Sequence, residues 1–311
     1  MNTKLLKYVI TVAEEKSFSV AAKRLFLSQP SLSQSISNLE KEIGTPIFNR
    51  STVPLSTTYA GDIYIQMAQR ILSIEHQSLM EIGDTIDNKA GRIIIGISLF
   101  RNSTIMPPIY NAFTAKFPKV QLILVEATND TLLDMAMSSK LDVAFLTDTV
   151  VGNLNHVKLF SDRIVFAISQ KNHLFDKYRL TPNFSRINLN ELKKEPFAIV
   201  SAGSNIRRIC ELIFHDYGFI PHIAVETQNI DVCYRLSIQT NIVAPIYQSI
   251  INFHQHTNSN IKLLLPDFKD YVADVNICYS KNTNLPKLVT LFIETVLTVV
   301  EQEGWNKKIC I

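Results

Sequence analysis

The sequence predicts an α+β multidomain protein, with a winged helix-turn-helix at 1–58, a linker helix at 59–90 and a two-lobed α/β domain at 91–311. Three observations support this prediction. Residues 17–50 are patterned as two helices joined by a tight turn, a long helical stretch follows, and later residues alternate between apolar strands and helices. With 311 residues, 46% of them apolar, the chain can form two or three domains with apolar cores.

The winged helix-turn-helix is predicted from the helical spacing of apolar residues and from residues that cap helices. The first helix covers about 5–13 and the second about 18–25. Ser28 is suited to the N-cap of a third helix, and Gly44 is suited to the position after its end. Two short apolar segments within 46–55, on either side of a polar tip, then predict the strands of a wing.

The linker helix is predicted from a stretch between Tyr59 and Asn88 that contains no proline and carries one stripe of apolar residues. A helix of this length spans roughly 45 Å at about 1.5 Å per residue. We favour packing of this stripe against its copy in a second subunit, and docking on its own chain is the alternative. The stripe comprises Ile63, Met67, Ile71, Ile74, Leu79, Ile82 and Ile86.

The α/β domain is predicted from short apolar runs that alternate with helical segments. Continuous apolar runs are typical of parallel strands covered by helices on both faces of a sheet. We divide the domain into one lobe of about 92–162 and 272–303 and a second lobe of about 163–271. The predicted strands are 92–99, 121–126, 143–146, 163–169, 197–200, 222–227, 241–245 and 275–280, and the predicted helices are 104–117, 129–140, 205–217, 229–239 and 286–303.

The basic charge of the chain is densest at its N-terminal end. The whole chain has a net charge of only +3 at pH 7. Residues 1–58 hold seven Lys or Arg and four Glu, whereas residues 59–91 hold two basic and five acidic side chains. A small basic unit on a nearly neutral chain is typical of a domain that contacts phosphates.

Other classes of protein find little support in the sequence. Cys210, Cys233, Cys278 and Cys310 are scattered without a C-x-x-C pair, so neither a zinc site nor a disulfide framework is expected. The seven His do not form H-x-x-x-H, and G-x-S-x-G, P-loop and G-x-G-x-x-G motifs are absent. We therefore expect no metal, no cofactor and no enzyme activity. The N-terminal residues lack the pattern of a signal peptide, and no apolar run reaches about 18 residues, so a cytoplasmic protein is expected.

Several segments together match a known family. They are VAEEKSFSVAAKRLFLSQPSLSQSISNLEKEIGTPIFNR, then PLSTTYAG, GRIIIGIS, IMPPIYNAFTAKFPKVQLILVE, KLDVAFL and SDRIVFAIS. Through these segments the chain resembles the LysR-type transcriptional regulators over essentially its whole length. The resemblance implies a winged helix-turn-helix, a dimerising linker helix and an effector domain like a periplasmic binding protein, usually in a tetramer.

The start of the third helix and the wing form the candidate DNA-contacting surface. Gln can bond adenine N6 and N7 together, Ser can bond bases or phosphates, and Pro offers an apolar edge to a thymine methyl. An Arg at the wing would reach a phosphate or the minor groove. For each residue alone, a polar face that only contacts water is the alternative. The candidates are Gln29, Pro30, Ser31, Ser33 and Gln34 on the helix, Arg50 and Thr52 in the wing, and Lys23 on the second helix.

Loops at the carboxyl ends of the predicted strands form the candidate effector site, in a cleft between the two lobes. Free N–H groups at the helix starts in these loops favour a carboxylate or another small anion. For each polar residue alone, a role as an ordinary N-cap is the alternative. The candidates are Ser98, Phe100, Asn102, Thr128, Ser201, Ser204, Asn205, Asn229 and Pro245, and the first loop also contains Arg101.

Taken together, these features predict a DNA-binding transcriptional regulator. Its binding to a double-stranded DNA operator would be controlled by a small-molecule effector, and paired reading heads would require a homodimer or homotetramer. The alternative is a solute-binding or transport-associated module whose N-terminal helices only pack. The Ser- and Gln-rich start of the third helix favours the regulator.

Overall fold

The structure is a computed structural model that describes residues 3–86, 90–148, 154–178, 184–254, 260–281 and 285–305. The chain divides into two compact units. The first unit is Met1–Asp87 with Ser138–Lys140, and the second is Asn88–Met137 with Leu141–Ile311. The stretch predicted as a separate linker helix thus groups with the helix-turn-helix.

The first unit begins with three helices, which are α1 (Thr3–Glu15), α2 (Phe18–Arg24) and α3 (Gln29–Ile43). The N-cap of α3 is satisfied, because Ser28 Oγ accepts a hydrogen bond from the backbone N–H of Ser31 at 3.3 Å. The helix ends at Gly44, whose φ of 82° is a left-handed conformation that glycine adopts readily. All three predicted helices are therefore present.

These helices enclose a small apolar core. Ala21 and Ala22 are buried on α2, where their small side chains allow neighbouring helices to approach closely. The buried residues of α3 are spaced at helical intervals, so its polar residues face the other way. The core comprises Val9, Val12, Ala21, Ala22, Leu32, Ile36, Leu39, Ile47 and Phe48.

The wing consists of two short antiparallel strands, β1 (Phe48–Asn49) and β2 (Ser56–Thr57). Both begin later than the predicted segments 46–48 and 53–55, although β1 overlaps the first segment at Phe48. The apolar side chain of Val53 misled the prediction, because it is 99% exposed between the two strands.

The long helix α4 (Tyr59–Ile86) follows the wing, as predicted, although the expected end at Asn88 lies outside the described residues. Its 28 residues span about 42 Å. A Cβ at Gly61 would lie 2.1 Å from the carbonyl oxygen of Ile47, so this close approach requires glycine. The side chains of Ile82 and Ile86 lie outside the described residues. The rest of the predicted stripe is exposed at Ile63 (54%), Met67 (38%), Ile74 (61%) and Leu79 (61%), and half-buried at Ile71.

The first part of the second unit alternates strands and helices, which are β3 (Ala90–Ile97), α5 (Leu99–Thr114), β4 (Lys119–Glu126), α6 (Asn129–Met137) and β5 (Val143–Thr147). As expected, β3 pairs in parallel with both β4 and β5. Helix α5 begins earlier than the predicted residue 104, because Ser98 adopts the extended conformation of an N-cap. Phe100 and Asn102 therefore lie on the first turn of a helix and not in a loop.

The second part contains the remaining elements, which are β6 (Leu154–Ser169), β7 (Ser185–Ile187), β8 (Pro196–Val200), α7 (Asn205–Asp216), β9 (His222–Thr227), α8 (Ile230–Gln239), β10 (Ala244–Tyr247), α9 (Ser249–His254), β11 (Ile261–Pro266), β12 (Val272–Ser280) and α10 (Lys287–Gln302). The prediction missed β7, α9 and β11. It also missed the first part of β6, where residues 155–158 alternate between half-buried and exposed and so form no continuous apolar run.

The strands of the second unit form a mixed sheet with the order β4-β3-β5-β12-β6-β11-β7, and β10 also pairs with β6. β12 is antiparallel to both β5 and β6. The predicted parallel pairing therefore holds for β3, β4 and β5 but does not extend to β12, because β6 carries the chain from the first lobe to the second and β12 carries it back. Strands β8 and β9 form a separate parallel pair in the second lobe.

Candidate nucleic-acid interface and interlobe cleft

Helix α3 presents a polar surface at its N-terminal end. Gln29, Pro30, Ser31 and Gln34 are exposed, and Ser33 is half-buried. These residues face outwards because the apolar residues of the same helix are held in the core of the first unit. The structure therefore brings the five helix residues of the predicted DNA surface together.

The side chains on this surface differ in how they are held. Gln34 Nε2 donates a hydrogen bond to Asn38 Oδ1 at 2.9 Å, one turn further along the helix. Ser33 Oγ accepts a hydrogen bond from Arg50 at 3.2 Å. Within the part of the chain that the structure describes, the side-chain amide of Gln29 has no partner. Gln29 is thus available to bond an adenine edge at no cost in internal hydrogen bonds.

Arg50 lies next to α3 at the base of the wing. Its Nη2 donates to Glu40 Oε2 at 2.9 Å, and its guanidinium lies 5.1 Å from the ring centroid of Phe18. Glu40 also accepts hydrogen bonds from the backbone N–H groups of Ile47 and Phe48. The arginine is therefore positioned by α3, and its further N–H donors can contact a phosphate.

The other two predicted DNA contacts have different surroundings. Lys23 is exposed on α2, where its charge can reach a phosphate. Thr52 Oγ1 donates to the carbonyl oxygen of Asn49 at 3.0 Å and lies 2.8 Å from Ser56 Oγ. The hydroxyl of Thr52 thus closes the wing turn, which gives this residue a structural role besides any contact with DNA.

The floor of the cleft in the second unit is a buried ion pair. Arg101 on α5 and Asp162 on β6 are each 2% exposed, and Arg101 Nη1 lies 2.5 Å from Asp162 Oδ2. Ser249, at the start of α9 in the second lobe, donates its hydroxyl and its backbone N–H to the same carboxylate. The carboxylate of Asp162 therefore bonds residues of both lobes.

Two aromatic rings cover the guanidinium of Arg101. Phe100 from the first lobe and Tyr247 from the second are stacked at 5.7 Å between ring centroids, with 14° between their planes. The guanidinium lies 4.4 Å from the centroid of Tyr247, within the range of a cation–π interaction. Burial raises the pKa of the Tyr247 hydroxyl, so this group stays protonated and can donate a hydrogen bond.

The second amino group of Arg101 is not satisfied. Its Nη2 is buried and has no hydrogen-bond partner among the described residues. A buried donor that lacks a partner costs free energy, and a charged donor costs more than a neutral one. An acceptor supplied by a ligand would remove this cost.

A cavity of about 470 Å³, which we call the mouth of the cleft, is lined by residues of both lobes, and Arg101 and Asp162 are not among them. Asp148, after β5, contacts two residues of the opposite lobe: Asn205 Nδ2 lies 3.0 Å from Asp148 Oδ2, and Arg208 Nη2 lies 3.7 Å from the same oxygen. The starts of α6 and α7 both line this cavity, at Asn129 and Ser204. The mouth therefore combines helix N-termini with side chains that already bond each other.

The predicted effector residues are only partly brought together in this cleft. Phe100 lies in the aromatic stack, and Ser204 and Asn205 line the mouth. Asn102 instead donates to Glu126 and lines a separate groove between α5 and β4. Pro245 is buried in β10, where it is paired with Phe166.

The remaining predicted effector residues occupy capping positions or the ends of strands. Ser98 is the N-cap of α5 but makes no side-chain capping bond. Thr128 bonds Thr131 at 2.9 Å, and Asn229 caps α8 by accepting from the N–H of Asp231. The N–H of Ser201 donates to the carbonyl oxygen of Thr227.

Sequence reasoning missed the residues that hold the two lobes together, namely Asp148, Asp162, Tyr247 and Ser249. It placed Arg101 in the correct region but not among the site residues. Burial of a charged residue beside an aromatic one is the signal that distinguishes Arg101, and burial is not visible in the sequence.

The cysteines, the possible metal ligands and the apolar helices bear on sites of other kinds. Of the cysteines that the structure describes, all three are buried. Desolvation raises the pKa of Cys233 to about 12 and that of Cys278 to about 11, and it also raises the pKa of Cys210. Such thiols are poor nucleophiles. Within the described ranges there is no cluster of metal-ligating side chains, and no described helix is long and apolar enough to cross a membrane.

Comparison with protein families assigns the same two regions. A sequence profile described as "Bacterial regulatory helix-turn-helix protein, lysR family" matches residues 3–62. A second profile, described as "LysR substrate binding domain", matches residues 87–301. The two matches together cover α3, the wing and most of both lobes.

Individual proteins support this assignment. The uncharacterized HTH-type transcriptional regulator YcgK of Bacillus subtilis (strain 168) is 25% identical over 248 residues, which are 76% of each chain. The crystal structure of full-length CbnR complexed with its target DNA superimposes with a TM-score of 0.64 at 19% identity, covering 96% of this chain and 100% of that one. A full-length OxyR variant from Pseudomonas aeruginosa gives a TM-score of 0.68 at 19% identity, covering 97% and 95%. At these identities the two structures support the fold.

Proposed function

Because the chain belongs to the LysR family of transcriptional regulators, we propose that it binds an operator through α3 and that a small anionic effector in the interlobe cleft controls this binding. The chain is a regulator and not an enzyme, as the sequence predicted. The match of residues 3–62 to a regulatory helix-turn-helix argues against the alternative of a solute-binding module. Contact with chromosomal DNA supports a cytoplasmic location.

The observation that carries the effector proposal is the unsatisfied Nη2 of Arg101. The guanidinium is buried, and Asp162 occupies only its Nη1 side. A carboxylate is a strong acceptor for the remaining donor, because hydrogen bonds between ionised groups are stronger than those between neutral groups. The N-termini of α6 and α7 at the mouth favour the same charge.

The position of Arg101 suggests how an effector acts. Its guanidinium contacts Phe100 of the first lobe and Tyr247 of the second, and its partner Asp162 bonds Ser249 of the second lobe. A ligand bound here contacts both lobes at once, so it stabilises one arrangement of the lobes over others. Operator binding would then change through a shift in the populations of these arrangements.

The proposal is tested with small carboxylates and their uncharged amides on the full-length protein. A carboxylate at about 100 times its Kd stabilises the folded state by about 2.7 kcal/mol, and its amide at the same concentration should give a much smaller shift in thermal unfolding. Arg101→Lys keeps a cation beside Asp162 but removes the second amino group, so it should abolish the shift. Arg186→Lys, at a surface ion pair with Asp270, is the matched control. Equal stabilisation of both Lys variants would refute the role of Arg101.

We also propose that α4 forms the subunit contact of a homodimer or homotetramer. The exposed residues Ile63, Ile74 and Leu79 support this, since a long helix with an apolar stripe in water favours burial against a second copy. Leu79→Glu should shift sedimentation velocity towards the monomer. Gln66→Glu adds the same charge at another exposed position of α4 and should leave assembly unchanged.

A further inference from the structure

The turn between α2 and α3 contains an unusual residue. Phe26 follows the C-cap of α2 and has a φ of 56°, in the left-handed region that favours glycine or asparagine. The N–H of Leu27 donates to the carbonyl oxygen of Ala22 at 2.9 Å, and that of Phe26 donates to Lys23 at 3.2 Å. These two bonds form a Schellman motif, in which the residue at this position is normally small.

The side chain of Phe26 is not stabilised by packing within the protein. Its exposed fraction is 96%, so the ring packs against no core. A large apolar side chain in water and a left-handed backbone both disfavour phenylalanine here, and glycine or asparagine would remove both costs. The fold itself therefore gives no reason for an aromatic ring at this position.

We propose that Phe26 is a specificity-determining residue that packs its ring on the C5-methyl group of a thymine in the operator. Phe26 lies three positions before Gln29, the first residue of α3, and the N-terminal end of a recognition helix approaches the base edges of the major groove. Thymine is the base that presents a methyl group there, and phenylalanine is among the residues that contact it. The proposal rests on α3 being the reading helix, which variants of Gln29 test separately.

A second arrangement would use the same ring differently. The ring could pack on the deoxyribose backbone, which every sequence offers, and this contact would strengthen binding without reading bases. Comparison of operator DNA with random DNA, and of thymine with deoxyuridine, distinguishes the two arrangements. Deoxyuridine keeps the hydrogen-bonding groups of thymine and lacks only the methyl group.

The experiment uses the full-length protein and DNA from directly upstream of its own gene, with the protected site mapped by footprinting. Phe26→Asn should bind the mapped site about tenfold more weakly than the wild type, near the lower end of what the loss of one base-pair contact costs, with little change on random DNA of equal length. Replacement of each thymine in turn by deoxyuridine should weaken the wild type at one position in each half-site and leave the affinity of Phe26→Asn unchanged there. The midpoint of thermal unfolding of Phe26→Asn should equal or exceed that of the wild type.

Phe268→Asn is the matched control, because Phe268 is also exposed, at 76%, but lies in the second unit. It should bind the operator like the wild type. Wild-type affinity of Phe26→Asn for the mapped site would overturn the proposal. Equal losses on operator and random DNA would overturn it as well, and would assign the ring to the DNA backbone.

Discussion

Two surfaces of this protein are rich in polar side chains, and they differ in what those side chains bond. On α3, Gln29 and Ser31 are exposed, and within the described residues the amide of Gln29 has no partner. In the interlobe cleft, Asp148 contacts Asn205, and Asp162 contacts both Arg101 and Ser249. The proposed DNA surface on α3 is open, whereas the side chains of the cleft mostly bond each other.

The difference follows from the kind of partner. DNA presents a continuous row of phosphates and base edges, so a surface can keep its polar groups in water until it docks. In the cleft, burial makes an unpaired polar group costly, so most of its polar groups bond each other, and the Nη2 of Arg101 is a buried donor without a partner among the described residues. The proposed effector would bond this Nη2 without breaking the pair with Asp162, and its contacts with both lobes would favour one arrangement of them.

The largest expected effect concerns the closed cleft. Asp162→Ala leaves the buried charge of Arg101 uncompensated and should lower the free energy of unfolding by about 3–5 kcal/mol in denaturant titration of the full-length protein. Lys158→Ala breaks the surface pair with Asp274 and should cost less than about 1 kcal/mol. Similar losses for the two variants would mean that the cleft ion pair does not hold the lobes.

The second effect concerns the open surface. Gln29→Ala should lose about 1–3 kcal/mol of discrimination between operator and random DNA, with little change in affinity for random DNA. Lys23→Ala should instead weaken both equally and reduce the salt dependence of binding by about one counterion. Fluorescence anisotropy at several salt concentrations measures both quantities. If Gln29→Ala lowers both affinities equally, Gln29 is not a base reader.

A smaller effect is expected just before α6, whose first residue, Asn129, lines the cavity. Thr128→Val removes the hydroxyl that bonds Thr131 at the start of α6 and should shift the effector dose-response by roughly 1 kcal/mol, about fivefold, while DNA binding stays intact. Thr114→Val removes a similar hydroxyl, which bonds Tyr110 on α5. A dose-response unchanged by Thr128→Val, or changed equally by both variants, removes Thr128 from the site.

The smallest effect is a pH dependence. Desolvation acts to raise the pKa of Asp274, but hydrogen bonds from Lys158 and Ser161 outweigh it, so the pKa lies below the ordinary value of 3.8. A carboxyl group with a lowered pKa adds stability above its unfolded pKa and loses it as the pH falls through the folded pKa. The contribution of this partly exposed group should be on the order of 0.5 kcal/mol above about pH 4. Denaturant titrations between pH 3 and 6 should show it in the wild type and not in Asp274→Asn.

The accuracy of the sequence predictions varied along the chain for physical reasons. The helices of the first unit were predicted well, since spacing and caps such as Ser28 and Gly44 act over a few residues. The wing strands and the start of α5 were misplaced, because Val53 is exposed and Ser98 acts as an N-cap. The mixed order of the sheet was not predicted, because the sequence of a strand does not specify which other strand it pairs with.

The sequence by itself determined the three helices of the first unit, the long helix and the alternation of strands and helices, because each depends on residues that are close in the chain. Only the tertiary structure decided which side chains meet in the cleft. Arg101 and Asp162 are 61 residues apart, and Arg101 and Ser249 are 148 apart, so no local pattern connects them. Their pairing depends on which elements the fold brings together and on burial, which makes a charge without a partner costly.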